Sequence, residues 1–166
     1  KKINGVSIIE RIAEKVLLSN NKLVILTTTN ITDDIVYDFC KNKNILCYRG
    51  SENDVLERFY QCNQLLNSNI IIRLTCDCPY LDIEMLNDMI NYFKINNLDY
   101  LYNTDELDPT TIYPEGSDIE IINSKTLKYI FDTDAILDPL YYNTWVSCKI
   151  QASHVKNLLK PAQENS

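Results

Sequence analysis

The stretch that decides the fold is residues 70–81, I-I-I-R-L-T-C-D-C-P-Y-L. Ile70, Ile71 and Ile72, followed by Arg73, Leu74 and Thr75, form a β-branched, apolar run that suits a buried strand. The strand has to stop by Pro79, whose ring removes a backbone donor. Asp77 therefore stands just past the carboxyl end of an expected central strand. In open α/β sheets that edge is where ligands bind. Arg73 and Thr75 share one side of the strand by alternation. A cation, a hydroxyl and a carboxylate can thus converge on one pocket. The reading that follows has Asp77 holding a metal ion against the phosphates of a nucleotide. Pattern alone equally allows Asp77 to cap the turn at Pro79.

A second acidic group lies in residues 113–120, Y-P-E-G-S-D-I-E. Asp118 opens a strand expected over 117–122, alternating as a half-exposed strand would, and Glu120 falls on the same side. Mg²⁺ takes one or two protein carboxylates and fills its shell with water and phosphate oxygens. Asp77 and Asp118, brought together at the mouth of one sheet, would meet that demand. Taken alone, Asp118 also reads as one more acid on an acidic surface.

Upstream of the central strand the periods alternate. Helices are expected over 6–19, 32–43 (with Thr32 as its cap) and 54–66, and strands over 23–28 and 45–48. Ile35, Val36, Phe39 and Cys40 form the expected inner face of the second helix, and Arg49, Gly50 and Ser51 a turn. Downstream, Asp82 caps a helix running to about residue 95, a strand covers 98–102 and ends at Asn103, and a long loop follows over 104–116. A short helix is expected at 124–131 and a strand at 145–150. Strands joined through helices make a parallel sheet with right-handed crossovers, so the fold expected is a three-layer α/β domain. Residues 1–155 form that one domain and residues 156–166 a tail.

Bulk properties narrow the function. The chain has 166 residues and a net charge of −7, with basic residues scattered. That argues against a nucleic-acid surface, though not against a nucleotide whose phosphates a cation neutralises. No apolar run approaches the ~20 residues of a membrane helix and no signal peptide opens the chain, so a cytoplasmic location is expected. Cys40, Cys47, Cys62, Cys76, Cys78 and Cys148 contain no C-x-x-C pair, and His154 is the single histidine. A tetrahedral zinc site and a Ser or Cys nucleophile with its base are both poorly supported. Neither G-x-x-x-x-G-K nor G-x-G-x-x-G occurs.

Four motifs in order carry a resemblance: T-T-T-N at 27–30 with Asp33-Asp34, Y-R-G-S-E-N-D-V-L-E-R-F-Y at 48–60, I-I-R-L-T-C-D-C-P-Y-L-D at 71–82, and Y-P-E-G-S-D-I-E-I at 113–121. Over about residues 5–127 the chain resembles the cytidylyltransferase family, and more closely its SpsF-like branch of spore-coat polysaccharide biosynthesis. The resemblance implies a Rossmann-like nucleotidyltransferase fold, mainly parallel. The reaction implied is attack of an acidic sugar's hydroxyl on the α-phosphorus of CTP, releasing pyrophosphate with Mg²⁺. Asp77 matches the metal-binding Asp of the family's G-D-C-P motif, and Asp118 the second metal-binding Asp of D-G-x-D-V-E. Arg73 is the expected catalytic companion of Asp77. Arg49, Ser51 and Asn103 fall in stretches that line the nucleotide or sugar pocket. The expected partners are CTP and a small acidic sugar, with a homodimer as one arrangement and no nucleic acid or membrane.

The same resemblance places Lys1 after the family's opening strand and phosphate-gripping loop, so the fold is expected to lack its first strand. Cys76 stands where the family has a glycine, and the family's basic, histidine-bearing segment is not visible in 132–153. Two other functions stay in view. One is a non-catalytic nucleotide-binding or assembly relative. The other is a nucleotide-sugar glycosyltransferase, although no D-x-D triplet occurs at Asp77.

Overall fold

The fold is taken from a computed structural model, which describes residues 2–103 and 116–133. The expected 104–116 loop up to Gly116, the expected strand at 145–150, His154 and the tail lie outside the described residues.

Lys2–Ile3 (β1) and Val6–Ser7 (β2) pair antiparallel across Asn4 and Gly5, whose φ angles are 51° and 81°. Asn-Gly is the pair that a two-residue hairpin turn favours. This hairpin takes the first two residues expected in the opening helix. Helix α1 (Ile8–Leu17) begins after it, with the Ser7 hydroxyl accepting the Glu10 N–H at 3.3 Å. Strand β3 (Val24–Thr28) leads into a 3₁₀ turn, Ile31–Asp33, and then α2 (Asp34–Asn42). Asn30, not Thr32, supplies the cap, accepting the Thr32 N–H at 3.1 Å. The extra turn rotates the apolar face: Cys40 is buried, whereas Ile35 is 76% exposed.

Strand β4 (Leu46–Gly50) runs parallel to β3, in register from Val24 opposite Leu46 to Thr28 opposite Gly50. The turn expected at 49–51 therefore starts later, because Arg49 and Gly50 still pair with Thr27 and Thr28. Helix α3 (Val55–Leu66) is capped by Asp54, which accepts the Glu57 N–H at 2.8 Å. Then come β5 (Ile70–Arg73), α4 (Ile83–Ile95) capped by Asp82, β6 (Tyr100–Tyr102), β7 (Glu120–Asn123) and α5 (Ser124–Asp132) capped by Asn123.

The third sheet has the order β5-β7-β6, with β7 antiparallel to both neighbours. So β5 and β6 run the same way, with β7 reversed between them; among the described strand pairs only β3–β4 is parallel, where a mainly parallel sheet is the expectation. The direction of β7 matters for the site. Arg73 at the end of β5 faces Glu120 at the start of β7. The chain leaving β5 and the chain entering β7 therefore emerge at one end of the sheet, carrying Asp77 and Asp118 with them.

Alternation builds the layers. Ile70, Ile72, Leu101 and Ile121 join α1 and α4 in one apolar cluster. Ile71, Tyr100 and Ile122 join α3 and α5 in another. The sheet is thus covered on both faces, and β7 is its middle strand: Ile119, Ile121 and Ile122 are fully buried. A half-exposed strand was the expectation; centrality in the sheet removes the solvent face.

Among the described residues β3 is paired only to β4, and β5 only to β7. The free sides of both strands line one cleft of about 420 Å³, closed by Ile12 and Val16 of α1 and Phe59 of α3. The expectation of a strand ahead of those present finds two unpaired edges and an apolar lining here.

Candidate functional site

Beyond β5 the chain turns sharply, the Cys78 N–H donating to the Thr75 carbonyl at 3.3 Å. The turn exposes Asp77 and buries Cys78 at 5% exposure. The chain entering β7 is tied to this turn: the Tyr80 N–H donates to the Gly116 carbonyl at 3.0 Å. Gly116 has φ +86°, and a Cβ there would meet Tyr80 at 3.3 Å and Pro79 at 3.5 Å, so this close approach requires glycine. The two expected metal-binding acids are consequently brought together. The Cys78 thiol lies 3.4 Å from Asp118 Oδ2 and 3.7 Å from Asp77 Oδ1, with the Thr75 hydroxyl 2.8 Å away. The hydrogen bond from Thr75 holds the Asp77 carboxyl below the usual carboxylate range, against the opposing effect of burial. Burial pushes the Cys78 thiol up to about 11, so it keeps its proton near neutrality and serves as a donor.

Directly beneath sits a buried ionic group. Arg73 is ion-paired with Glu120, their side chains 7% and 10% exposed. The Tyr100 hydroxyl donates to the other Glu120 oxygen at 3.0 Å. Burial raises Glu120 above the usual range, and the Arg73 charge and the Tyr100 hydroxyl oppose the shift. Arg73, the expected companion of Asp77, is paired with Glu120, because a carboxylate buried in the middle strand needs a partner. Its charge still lowers Asp77 through space.

Asn103 is bonded to the Asp118 segment and organises it. Its side-chain nitrogen donates to the Ser117 carbonyl at 2.9 Å, and its oxygen accepts the Ile119 N–H at 2.7 Å. Both neighbours of Asp118 are thereby fixed. Arg49 is the penultimate residue of β4 and Ser51 follows the strand. Arg49 donates to the carbonyls of Thr28 and Asn30, both at 2.8 Å, and pairs with Asp34 at 2.7 Å. Ser51 accepts the Asp54 N–H at 3.2 Å, and its carbonyl accepts from Arg58. None of these bonds reaches the Asp77 or Asp118 segment. Sequence reasoning missed Cys78, Tyr100 and the Gly116–Tyr80 tie; the one available signal was the cysteine lodged between Asp77 and Pro79.

A more open cavity of about 700 Å³ adjoins Asn103 and Ser117 and is lined also by Tyr80, Tyr92 and Tyr102. Asp82, Glu84 and Asp88 are on its wall. Among the described residues no group of three or more His, Cys, Asp or Glu side chains is arranged to hold a metal ion. What is present is a pair of carboxylates, Asp77 and Asp118, at the end of a sheet. That donor set fits Mg²⁺, which draws its other ligands from water and phosphate. No helix among the described residues is long and apolar enough to cross a membrane.

Comparison with known proteins agrees with this geometry. A family model described as Cytidylyltransferase matches residues 1–146. The spore coat polysaccharide biosynthesis protein SpsF of Bacillus subtilis is 39% identical over 82 residues, covering 49% of this chain and 34% of the relative. An uncharacterized protein of Methanocaldococcus jannaschii is 30% identical over 102 residues, covering 60% of this chain and 42% of the relative. The chain thus spans less than half the length of either. A cytidylyltransferase structure from Leptospira borgpetersenii superposes with a TM-score of 0.73 at 28% identity, covering 85% of this chain and 58% of that one. A CMP:2-keto-3-deoxy-manno-octonic acid synthetase, solved with CTP, superposes with a TM-score of 0.58 at 11% identity and shares the fold; 88% of this chain and 78% of that one are covered.

Proposed function

The chain belongs to the cytidylyltransferase family, and from that premise we propose that it carries the metal and nucleotide end of an enzyme transferring CMP from CTP to a sugar. The oxygen of a sugar hydroxyl bonds to the α-phosphorus, the bond from that phosphorus to the β-phosphate oxygen breaks, and pyrophosphate leaves. The hydroxyl gives up its proton to solvent or base. Surface polysaccharide synthesis in the cytoplasm is the setting proposed. The observation carrying this reading is that Asp77 and Asp118, 41 positions apart in the sequence, both approach one buried thiol.

Asp77 and Asp118 would hold Mg²⁺, which when bound neutralises phosphate charge and stabilises the departing pyrophosphate. Asn103 keeps Asp118 in place, and the Thr75 hydroxyl favours the ionised form of Asp77. An acidic sugar is the acceptor that the family resemblance suggests. The 700 Å³ cavity is the space at hand for an acceptor, yet its described wall carries three carboxylates. Neutral and amino sugars therefore belong in the assay beside acidic ones.

One observation favours a second reading, a nucleotide-binding relative without turnover. Both cations expected at the nucleotide, Arg49 and Arg73, are engaged by internal partners. Two measurements separate these readings. Calorimetry should show CTP binding that needs Mg²⁺ or Mn²⁺ and that weakens more than about tenfold in Asp77→Asn and in Asp118→Asn. Pyrophosphate release over the sugar panel then distinguishes an enzyme from a binder. CTP binding indifferent to EDTA and to both substitutions would refute the metal reading outright.

A further inference from the structure

We propose that Cys78 is a positioning residue, its thiol setting the spacing and orientation of Asp77 and Asp118. The inference rests on the metal reading of these two acids and goes beyond it by naming what holds them. Cys78 is fixed on several sides. Its N–H is bound to the Thr75 carbonyl at 3.3 Å, its sulfur contacts the Thr75 hydroxyl at 2.8 Å, and it is 5% exposed. Its successor Pro79 restricts its backbone to extended conformations. The next residue, Tyr80, is joined to Gly116 at 3.0 Å. The sulfur therefore does not follow the carboxylates; they are placed relative to it.

Two carboxylates brought to one sheet edge repel each other until a cation arrives. A neutral donor between them lessens that cost: its single proton goes to Asp118 Oδ2 at 3.4 Å, with Asp77 Oδ1 at 3.7 Å the alternative acceptor. Asp118 Oδ1 stays outside the thiol's bonds. The effect is a pair of carboxylates oriented before the metal enters, an instance of preorganisation by an outer group.

The test uses the whole chain, with Mn²⁺ and CTP as probes. Affinity is read by titration of the Mn²⁺ electron-spin signal and by calorimetry, with circular dichroism as the fold control. Cys78→Ala removes the donor and should weaken Mn²⁺–CTP binding about fivefold, equivalent to about 1 kcal/mol for one modest hydrogen bond. Cys78→Ser restores a donor and should stay within about twofold of the wild type. Should alanine fail to fold, Cys78→Val, matched in size and lacking a donor, takes its place against serine. Equal loss in the apolar and serine variants would assign Cys78 to packing and overturn the proposal, as would no loss in either. Should Asp77→Asn and Asp118→Asn themselves leave Mn²⁺–CTP binding unchanged, the metal reading fails, a result separate from the Cys78 comparison.

Discussion

The charged form of Asp77 is favoured by a neighbour two positions back. The Thr75 hydroxyl depresses the Asp77 pKa, with Arg73 adding to the effect from below the sheet edge. The sign follows from the depression. The fold favours ionised Asp77; that preference is present above the ordinary carboxylate range and is lost only as pH falls through the lower folded value. Thr75→Val should raise Asp77 toward its ordinary range. Metal-dependent CTP binding should then fail at a higher pH than in the wild type, followed between about pH 3 and 6. Thr75→Ser, which keeps the hydroxyl, should leave the midpoint in place; an unmoved midpoint in valine would show that Thr75 does not control Asp77. Strand alternation made Thr75 legible in the sequence, and a motif made Asp77 and Asp118 legible. Arg49 lies in a motif as well, yet the motif gives no sign that its guanidinium bonds Thr28, Asn30 and Asp34. A lone arginine after a strand looks the same whether its acceptors are phosphates or carbonyls.

Strand β7 shows what an element can hide. Its I-E-I-I run reads as half-exposed, since a glutamate in a strand is ordinarily turned to water. Glu120 is buried instead because Arg73, 47 residues earlier, is its register partner. Local pattern carries no record of a partner at that separation. The same pairing gives β7 its direction and so delivers Asp118 to the end where β5 delivers Asp77. The buried pair should reveal itself when broken. Arg73→Met leaves Glu120 buried without its cation and should cost about 3 kcal/mol or more in urea unfolding. Arg73→Met with Glu120→Leu should recover much of that loss, since an apolar pair of similar volume tolerates the site. A double variant no more stable than the single would mean that the ion pair itself, not relief of a buried charge, is what the sheet needs.

At the scale of the whole molecule, the helix and strand order was legible and the pairing was not. Periodicity placed α1, α3, α4, α5 and β3 to within a few residues, because each has a clear apolar face or run. Which strands join is decided by contacts that no window of sequence contains. Among the described residues the β1–β2 hairpin stands beside two further sheets, β3–β4 and β5–β7–β6, which share a cleft rather than a ladder. The β5–β7–β6 sheet is covered by two apolar clusters, so it should be the more stable part. Hydrogen exchange can resolve this strand by strand. Amides of β5 bonded to β7 should exchange slowly, whereas amides of β3 and β5 turned to the cleft should exchange fast for want of an acceptor. A chain extended at its amino end by residues that supply the strand the resemblance implies should protect both edges together and raise the unfolding temperature, since one strand would complete two ladders. Protection of the cleft-facing amides in the 166-residue chain itself would show that the edges are already satisfied and that the cleft is not a place for a strand.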